Sequence, residues 1–281
     1  METRVVVTGS SGFIGRHLVR LLGEQGHTIL PVDRKTGDDL LDDQTLRAIY
    51  TFQPHHVYHL AAEHFIPWCD KHPEETVANN TGATLRLLDA LPRGAHRVVM
   101  ASSAAVYGFS DQPFSEKNDL RPLSIYGITK VQCELALSLW SERGGMSRGF
   151  AARLFNVVGP GDETPHLFTK LARERARGER ETTLGTMVAV RDYVHVYDVV
   201  DALYKMGQVP SWSFEGDMLP INVATGVGTN VADVAAAFGF HRVFLGEGRK
   251  VEGNLLGDPT RADRVLEWKP KHTWRDAIRD L

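Results

Sequence analysis

Short apolar, β-branched runs alternate along the chain with longer segments of helical periodicity. The runs and helical segments follow one another in the order 5–7, 13–23, 28–32, 43–52, 57–60 and 74–91. Strands and helices that alternate in this way form parallel sheets, because each helix carries the chain back to the starting edge of the sheet. The pattern therefore predicts an α/β fold, with a doubly wound parallel sheet covered by helices on both faces.

The alternation continues through the middle of the chain. A fourth run, 97–100, leads into Ala101-Ser102-Ser103. A long amphipathic helix is predicted from about Tyr126 to Arg143, and the glycine pair Gly144-Gly145 is expected to end it. A fifth strand follows over 149–157.

The alternation of strands and helices becomes less regular after the fifth strand, and this change predicts two domains. We expect residues 1–160 to form the main domain and residues 161–281 to form a smaller lobe. Strand-like segments within 190–206 and 219–226 are expected to return to the main sheet.

Three glycines follow the first strand at intervals of three residues. Gly9 would end the strand, Gly12 would leave the backbone of the turn open to a ligand, and Gly15 would let the next helix pack closely on the sheet. The exposed N–H groups at that helix N-terminus are suited to a pyrophosphate. The motif therefore predicts a bound dinucleotide.

A carboxylate at the end of the second strand indicates which dinucleotide. Asp33 lies about twenty residues beyond the glycines, where a carboxylate bonds the adenosine ribose hydroxyls and repels a 2′-phosphate. We therefore predict NAD. Arg16, Arg34 and Lys35 stand close by in the sequence, so NADP remains the alternative.

Tyr126 and Lys130 suggest proton transfer. They are four residues apart, so on a helix both side chains lie on one face about a turn apart. A free tyrosine has a pKa of about 10, and a nearby ammonium group favours the phenolate. An ordinary polar helix face is the alternative, but Ser103 ends the fourth strand at the edge where open parallel sheets bind ligands. The three residues together predict an alcohol–carbonyl redox step.

These motifs resemble those of the extended short-chain dehydrogenase/reductases, and within them the nucleotide-sugar epimerase/dehydratase group. The resemblance spans nearly the whole chain, in family order: TGSSGFIG (8–15), HLAA (59–62), SSAAVYG (102–108), YGITK (126–130), RLFNVVGPGD (153–162), VRDYVHVYDVVDAL (190–203) and INVATG (221–226). It implies a Rossmann-type sheet with a small C-terminal substrate-binding lobe.

The resemblance also implies roles for individual residues. The catalytic residues would be Ser103, Tyr126 and Lys130. Cofactor-binding positions would be Gly9, Gly12, Phe13, Ile14, Gly15, Asp33, Arg34, Leu60, Ala61, Ala62, Asn80, Ser102, Tyr126 and Lys130. Substrate-binding positions would be His64, Ser103, Ala104, Tyr126, Asn156 and Arg191, of which Asn156 and Arg191 would meet the diphosphate of a nucleotide sugar.

Two departures from the family pattern affect the expected reaction. Ala104-Ala105 stand where 4,6-dehydratases of the group have an acidic pair, and neither alanine can act as the acid or base that water elimination needs. The segment 63–69 also differs from the usual sequence after HLAA. It either sets an unusual substrate preference or is a loop that packs aromatic residues on the core.

Composition and charge limit the ligands and the cellular location that the sequence predicts. The net charge of −3 provides no general attraction for nucleic acid or an anionic membrane, and no apolar run approaches the roughly 20 residues of a membrane span. The two cysteines, Cys69 and Cys133, predict a reduced, cytoplasmic location. The histidines at 55, 56, 59 and 64 have no matching carboxylate or cysteine spacing, so we predict no metal.

The sequence therefore leads to one preferred function and several alternatives. We predict an NAD-dependent nucleotide-diphosphate-sugar 4-epimerase that acts through a transient 4-keto sugar. A nucleotide-sugar 4-keto reductase or dehydrogenase is the main alternative, followed by a 4,6-dehydratase, a non-sugar alcohol as substrate, and a non-enzymatic dinucleotide sensor. By family resemblance, the helices over 74–91 and 126–143 would form a four-helix bundle in a homodimer.

Overall fold

The structure is a computed structural model of the 281-residue chain. It describes residues 3–92, 95–143, 148–186, 188–210, 218–246 and 253–281. The expected helix stop at Gly144-Gly145 lies outside the described residues. No helix in the described ranges is long and apolar enough to cross a membrane.

The elements have the following bounds. The strands are β1 (Arg4–Thr8), β2 (Thr28–Val32), β3 (His56–His59), β4 (Arg97–Ser103), β5 (Arg148–Leu154), β6 (Asn156–Val158), β7 (Glu181–Leu184), β8 (Val190–His195), β9 (Met218–Val223), β10 (Gly228–Asn230) and β11 (Arg242–Leu245). The α-helices are α1 (Phe13–Glu24), α2 (Asp43–Phe52), α3 (Ile66–Lys71), α4 (Pro73–Val77), α5 (Ala83–Ala90), α6 (Ile125–Arg143), α7 (Leu167–Ala176), α8 (Val196–Gln208), α9 (Val231–Ala237), α10 (Thr260–Leu266) and α11 (Trp274–Arg279).

A six-stranded parallel sheet forms the centre of the molecule, in the order β2-β1-β3-β4-β5-β9. The chain runs outward from β1 to β2 and then returns past β1 to β3. The loops after β1 and β3 therefore leave the sheet in opposite directions and open a crevice at its carboxyl edge. The predicted Rossmann-type fold is confirmed.

Helices cover both faces of the sheet because side chains alternate along each strand. Val5 and Val7 of β1 point to one face and pack in a core with α1 and α8, whereas Val6 points to the other and packs with α2, α5 and α6. All three valines are fully buried. The predicted helix over 126–143 belongs to the second layer and begins at Ile125.

The helix expected over 74–91 is interrupted. A π-helical turn over Ala78–Gly82 separates α4 from α5, and the side chain of Thr84 donates a hydrogen bond to the carbonyl of Asn80. The segment 63–69, for which a loop was one of the two expectations, enters a short helix, α3, at Ile66. Neither feature changes the sheet order, but together they shape the wall of the crevice beside β3.

The predicted fifth strand is divided into β5 and β6. This division explains why the strand within 190–206 does not return to the main sheet as predicted. β5 ends at Leu154, and after the single residue Phe155 the chain begins β6 outside the main sheet. β8 pairs with β6 and β10 in a separate three-stranded sheet. By contrast, β9 joins the main sheet beside β5, and α8 packs on its face.

A second core lies beyond the main sheet. Its buried residues come from the chain after residue 157: Val158, Phe168, Leu171, Leu184, Ala189, Tyr193, Val231, Val234, Ala235, Phe238, Phe240 and Ala277. It holds α7, α9 and the strands β6 and β8 together at the carboxyl edge of the main sheet. The crevice therefore has the main sheet as its floor and a smaller lobe as its wall.

Two glycines in α1 provide a matched test of this packing. A Cβ at Gly15 would stand 2.0 Å from the carbonyl oxygen of Gly9, whereas a Cβ at Gly23 would meet no atom within 4 Å. Gly15→Ala should therefore destabilise the protein by about 1–3 kcal/mol or more, because backbone has to move. Gly23→Ala should stabilise it by about 0.5–1 kcal/mol, since alanine loses less entropy in a helix. Urea denaturation measures both, and equal stabilities would contradict the account of the turn.

Candidate cofactor and active site

The glycine turn after β1 is crowded by backbone. Gly9 has φ +70°, a left-handed conformation, and a Cβ there would lie 2.8 Å from the amide nitrogen of Ala61. A Cβ at Gly12 would lie 3.1 Å from the carbonyl of Gly9. The helix α1 thus begins directly against the end of β1, and its first residues, 13–15, line the crevice.

Asp33 lies at the end of β2 and is held by two backbone amides. One carboxylate oxygen accepts a hydrogen bond from the amide of Ser11 at 2.9 Å, and the other accepts one from the amide of Lys35 at 2.8 Å. The first bond ties the glycine turn to the second strand. It fixes the carboxylate at the place where an adenosine ribose would be recognised.

A cavity of about 830 Å³ runs along the carboxyl edge of the sheet. It brings together most of the residues predicted from sequence: Gly9, Gly12, Phe13, Ile14, Gly15, Asp33, Arg34, Leu60, Ala61, Ala62, His64, Ser102, Ser103, Tyr126, Lys130, Asn156 and Arg191. The cofactor half and the substrate half predicted from separate motifs are therefore two ends of one cavity.

Ser103, Tyr126 and Lys130 line the middle of this cavity. Ser103 is the last residue of β4, and the other two lie in the first turns of α6. The ammonium group of Lys130 is 5.6 Å from the centre of the Tyr126 ring and donates a 2.7 Å hydrogen bond to the carbonyl of Ala101. Lys130 is only 5% exposed, so its charge is held in place beside the tyrosine.

Gly127 explains how the tyrosine reaches the serine strand. A Cβ at this position would lie 2.5 Å from the carbonyl oxygen of Ala105. Its absence lets the start of α6 pack directly on the 3₁₀ turn Ala104–Val106, which follows Ser103. Sequence reasoning did not assign this role to Gly127, although a glycine inside a helix is a signal for close packing.

Two predicted site residues stand behind the cavity wall. Asn80 is 1% exposed, and its amide bonds the backbone N–H and C=O of Glu63 and the hydroxyl of Thr129 in α6. The neighbouring Asn79 lines the cavity. Asn80 therefore ties α6 to the loop after β3. Ala104 is 2% exposed and packs in the main core, which corrects its expected contact with substrate.

A buried ion pair lies beneath the serine strand. Arg153 of β5 donates hydrogen bonds to both carboxylate oxygens of Glu134 in α6, at 3.0 and 2.7 Å, and both side chains are at most 5% exposed. The hydroxyl of Ser102 donates to the same carboxylate, and Arg153 also bonds the hydroxyl of Tyr107 at 2.8 Å. This network joins β4, β5 and α6 directly below Ser103 and Lys130.

The substrate end of the cavity contains Asn156 and Arg191. The side-chain amide of Asn156 donates to the carbonyl of Asp192 at 3.0 Å. Arg191 donates to the carbonyls of Val190 and Gly253, lies 5.3 Å from the ring centre of Phe109, and forms no ion pair with a carboxylate of the described residues. Burial lowers the pKa of its guanidinium from an ordinary value far above neutrality. A half-buried cation in this state is suited to an anionic ligand.

His64 reaches across the cavity to the smaller lobe. Its Nε2 lies 3.2 Å from the hydroxyl oxygen of Thr164, and its ring meets His166 edge to face at 5.8 Å. Burial, followed by the nearby His166, lowers the pKa of His64. Burial acts to raise the pKa of Asp162, but hydrogen bonds from His166 and Thr164 outweigh it and the pKa is lowered. This side of the site thus brings two histidines, His64 and His166, and the carboxylate of Asp162 to the cavity.

The structure adds cavity residues to which the sequence assigned no role. They include Asp38, Asp39 and Leu40 beside the predicted adenosine end, and Asp162, His166, Leu167, Phe168, Leu184, Gly185, Thr186, Tyr193 and Val231 from the smaller lobe. Most come from loops without a recognisable spacing. The proximity of Asp38 and Asp39 to Asp33 in sequence is the one signal that could have indicated the first group.

Comparison with known proteins fits this geometry. Residues 5–224 match the model of the NAD dependent epimerase/dehydratase family. The match covers more than half of the chain, which shows that the chain belongs to this family. The predicted family and its NAD dependence are confirmed at this level.

Individual relatives in the family carry out different reactions. The chain is 29% identical to a UDP-glucose 4-epimerase of Lactobacillus helveticus, over 96% of this chain and 92% of the relative. It is 28% identical to a GDP-6-deoxy-D-mannose reductase of Pseudomonas aeruginosa, over 100% and 96%. Among solved structures, MoeE5 in complex with UDP-glucuronic acid and NAD is similar, with a TM-score of 0.88, 31% identity, and coverage of 99% of this chain and 97% of that chain.

The buried ion pair predicts a large difference between two glutamates. Glu134→Ala would leave Arg153 charged and without its carboxylate in the core, which typically costs about 3–5 kcal/mol of unfolding free energy. Glu24 pairs with Arg20 at 3.7 Å on the surface of α1, so Glu24→Ala should change stability by less than about 1 kcal/mol. Urea denaturation provides the comparison. Similar losses in both variants would show that Glu134 does not support the site as described.

Proposed function

We propose that this protein is an NAD-dependent nucleotide-diphosphate-sugar 4-epimerase. The observation that carries the proposal is that Ser103, Tyr126 and Lys130 line one cavity with the glycine turn at its cofactor end and Arg191 at its other end. Both the 4-epimerase and the MoeE5 complex among its relatives concern UDP-sugars, which supports a nucleotide sugar as substrate.

The residues of the cofactor half fit NAD. Side chains at Gly9 and Gly15 would collide with backbone, so the turn stays free for a pyrophosphate, and Asp33 is fixed for the adenosine ribose. The chemistry that bound NAD supplies is oxidation at C4 of the sugar, followed by reduction.

The chain's own residues handle the proton at C4. Tyr126 takes the proton of the C4 hydroxyl as general base and returns it after the sugar has turned over. The Lys130 ammonium, fixed by the Ala101 carbonyl, places a positive charge 5.6 Å from the centre of the Tyr126 ring, beside the group that transfers the proton. The Ser103 oxygen accepts a hydrogen bond from the amide of Ala105, which leaves its own O–H free to donate to the sugar oxygen.

The other end of the cavity holds the nucleotide diphosphate. Arg191 provides a charged donor that is not neutralised by a carboxylate of the described residues, and the nearby Asn156 contributes an amide. Holding the diphosphate there would leave the sugar free to turn between its two faces. An epimerase requires this freedom.

A 4-keto reductase is the second candidate, because one relative is a GDP-6-deoxy-D-mannose reductase. The same catalytic residues serve a reaction that runs only towards the alcohol. A reductase consumes free reduced dinucleotide with each turnover, whereas an epimerase regenerates its cofactor. A 4,6-dehydratase is disfavoured by Ala104-Ala105, which cannot transfer protons.

Tyr126→Phe tests the proposed chemistry. The ring keeps its packing but loses the proton acceptor, so inversion at C4 should fall by about 10²–10⁴-fold while NAD binding is retained. The measurement is proton NMR of a panel of nucleotide sugars incubated with wild type and variant. Wild-type inversion without added reduced dinucleotide is the expected result. Inversion by the variant at the wild-type rate would contradict the role of Tyr126, and stoichiometric dinucleotide consumption by the wild type would contradict the epimerase.

We also propose that the protein is a homodimer formed through α5 and α6. Leu85 on α5 and Leu135 and Leu139 on α6 are 51%, 66% and 44% exposed, and because α5 packs against α6 they offer an apolar face to a partner. Two copies of this helix pair would bury them in a four-helix bundle.

Leu135→Glu tests the dimer. A charge at the centre of the apolar face should convert a dimer mass to a monomer mass in light scattering at micromolar concentration. The control is Leu245→Glu, because Leu245 is 45% exposed on β11, away from both helices. A monomeric wild type, or a Leu135→Glu variant that stays dimeric, would rule out this interface.

A further inference from the structure

The loop between β6 and α7 places a carboxylate against two cations of the cofactor half. One oxygen of Glu163 lies 3.6 Å from a guanidinium nitrogen of Arg16, and the other lies 3.8 Å from the ammonium nitrogen of Lys35. Arg16 belongs to the first turn of α1, directly after Gly15, and Lys35 follows Asp33 by two residues. The Glu163 carboxylate therefore bridges the helix start that follows the glycine turn and the loop after β2.

The two cations that Glu163 meets are among those that left NADP open as an alternative. NADP differs from NAD by a phosphate on the adenosine 2′ oxygen, and proteins accept that phosphate with basic side chains near the end of the second strand. Lys35 lines the cavity at this end, as do Arg34 and the three carboxylates Asp33, Asp38 and Asp39. A phosphate beside Asp33 would thus enter a region in which some of the cations already pair with the Glu163 carboxylate.

The loop that carries Glu163 is anchored by contacts on both sides. The ring Nε2 of His17 lies 3.0 Å from the carbonyl of Pro160, and His64 contacts Thr164 across the cavity. Arg173 donates to the carbonyl of Glu163 itself at 3.0 Å. The backbone of Glu163 is therefore fixed at the rim of the cofactor half, next to Asp162, which lines the cavity.

The ion pairs themselves contribute little to stability. The side chains of Glu163, Lys35 and Arg16 are 70%, 66% and 39% exposed, and exposed pairs of this kind are typically worth less than about 1 kcal/mol. Their effect on a ligand is different, because a phosphate with nearly two negative charges would lie within a Debye length of the Glu163 carboxylate. The carboxylate both repels the phosphate and competes for its cations.

We propose that Glu163 is a specificity-determining residue that makes the adenosine end of the site reject a 2′-phosphate. Asp33 recognises the ribose hydroxyls from the sheet, and Glu163 acts from the smaller lobe by neutralising Arg16 and Lys35. The inference rests on the proposed dinucleotide site, and it concerns cofactor choice rather than the reaction at the sugar.

Glu163→Gln tests this role by direct binding of NAD and NADP to cofactor-free protein, measured by calorimetry without any sugar. The substitution keeps the shape of the side chain and removes its charge. We expect NADP to bind about tenfold more tightly, equivalent to about 1.4 kcal/mol, with little change for NAD. The gain should shrink as salt is raised from about 0.05 to 0.5 M, because the interaction is exposed and electrostatic.

Two further variants separate this role from general effects. Glu179→Gln removes an exposed carboxylate that pairs with Arg177 at 3.6 Å in the same lobe, and it should leave the NADP-to-NAD affinity ratio at the wild-type value. Adding Lys35→Gln to Glu163→Gln should abolish most of the gain, because Lys35 is one of the cations set free.

The outcomes also distinguish this proposal from the proposed function. An unchanged affinity ratio in Glu163→Gln, with NAD still bound by the wild type, would overturn the role of Glu163 alone. An equal gain in the Glu179→Gln control would overturn it as well. A wild type that binds neither dinucleotide would overturn the proposed function and this inference together.

Discussion

The site depends on the direct contact of two helices with backbone at the carboxyl edge of the sheet. A Cβ at Gly15 would lie 2.0 Å from the Gly9 carbonyl, and a Cβ at Gly127 would lie 2.5 Å from the Ala105 carbonyl. The absence of these two side chains lets α1 begin against the end of β1, where a pyrophosphate is predicted to bind, and lets α6 start against the turn that follows Ser103. Both the predicted cofactor half and the predicted catalytic half thus depend on a glycine that lets a helix pack directly against backbone. One such contact lies on each side of the sheet.

Beneath this surface, buried polar groups fix the catalytic strand relative to its helix. Glu134 and Arg153 satisfy each other in the core, and Ser102 and Tyr107 complete their hydrogen bonds. A buried ion pair of this type is costly when one partner is lost, so it favours one arrangement of β4, β5 and α6 over others. Asn80 adds a similar link on the other side of α6.

Local patterns in the sequence were enough to predict the main sheet and the cofactor half. Residues 28–32 and 43–52 form a strand and a helix with the predicted bounds, because apolar periodicity and flanking turn residues act within a few positions. The glycines, Asp33, and the Tyr126–Lys130 pair lie where their spacing indicated, since each belongs to one turn or one helix.

Features that depend on distant contacts could not be predicted in this way. β8 reads as a strand, but its pairing with β6 follows from the break at Phe155, which the apolar run over 149–157 conceals. Asn80 fits the family's cofactor positions by motif, yet a π-helical turn directs its amide to Glu63 and Thr129. Glu163 reads as an ordinary loop residue, because its partners lie more than a hundred positions away.

The single residue between β5 and β6 has a mechanical consequence. Phe155 is 3% exposed, its amide donates to the carbonyl of Val223 in β9, and it joins the strand beside Ser103 to the strand that begins with Asn156. Under the proposed function, the chain therefore has one buried residue between the strand that pairs with Ser103 and the strand that begins at Asn156, the position proposed for the diphosphate. Repositioning of a bound nucleotide would be passed through this short covalent link to the end of the main sheet.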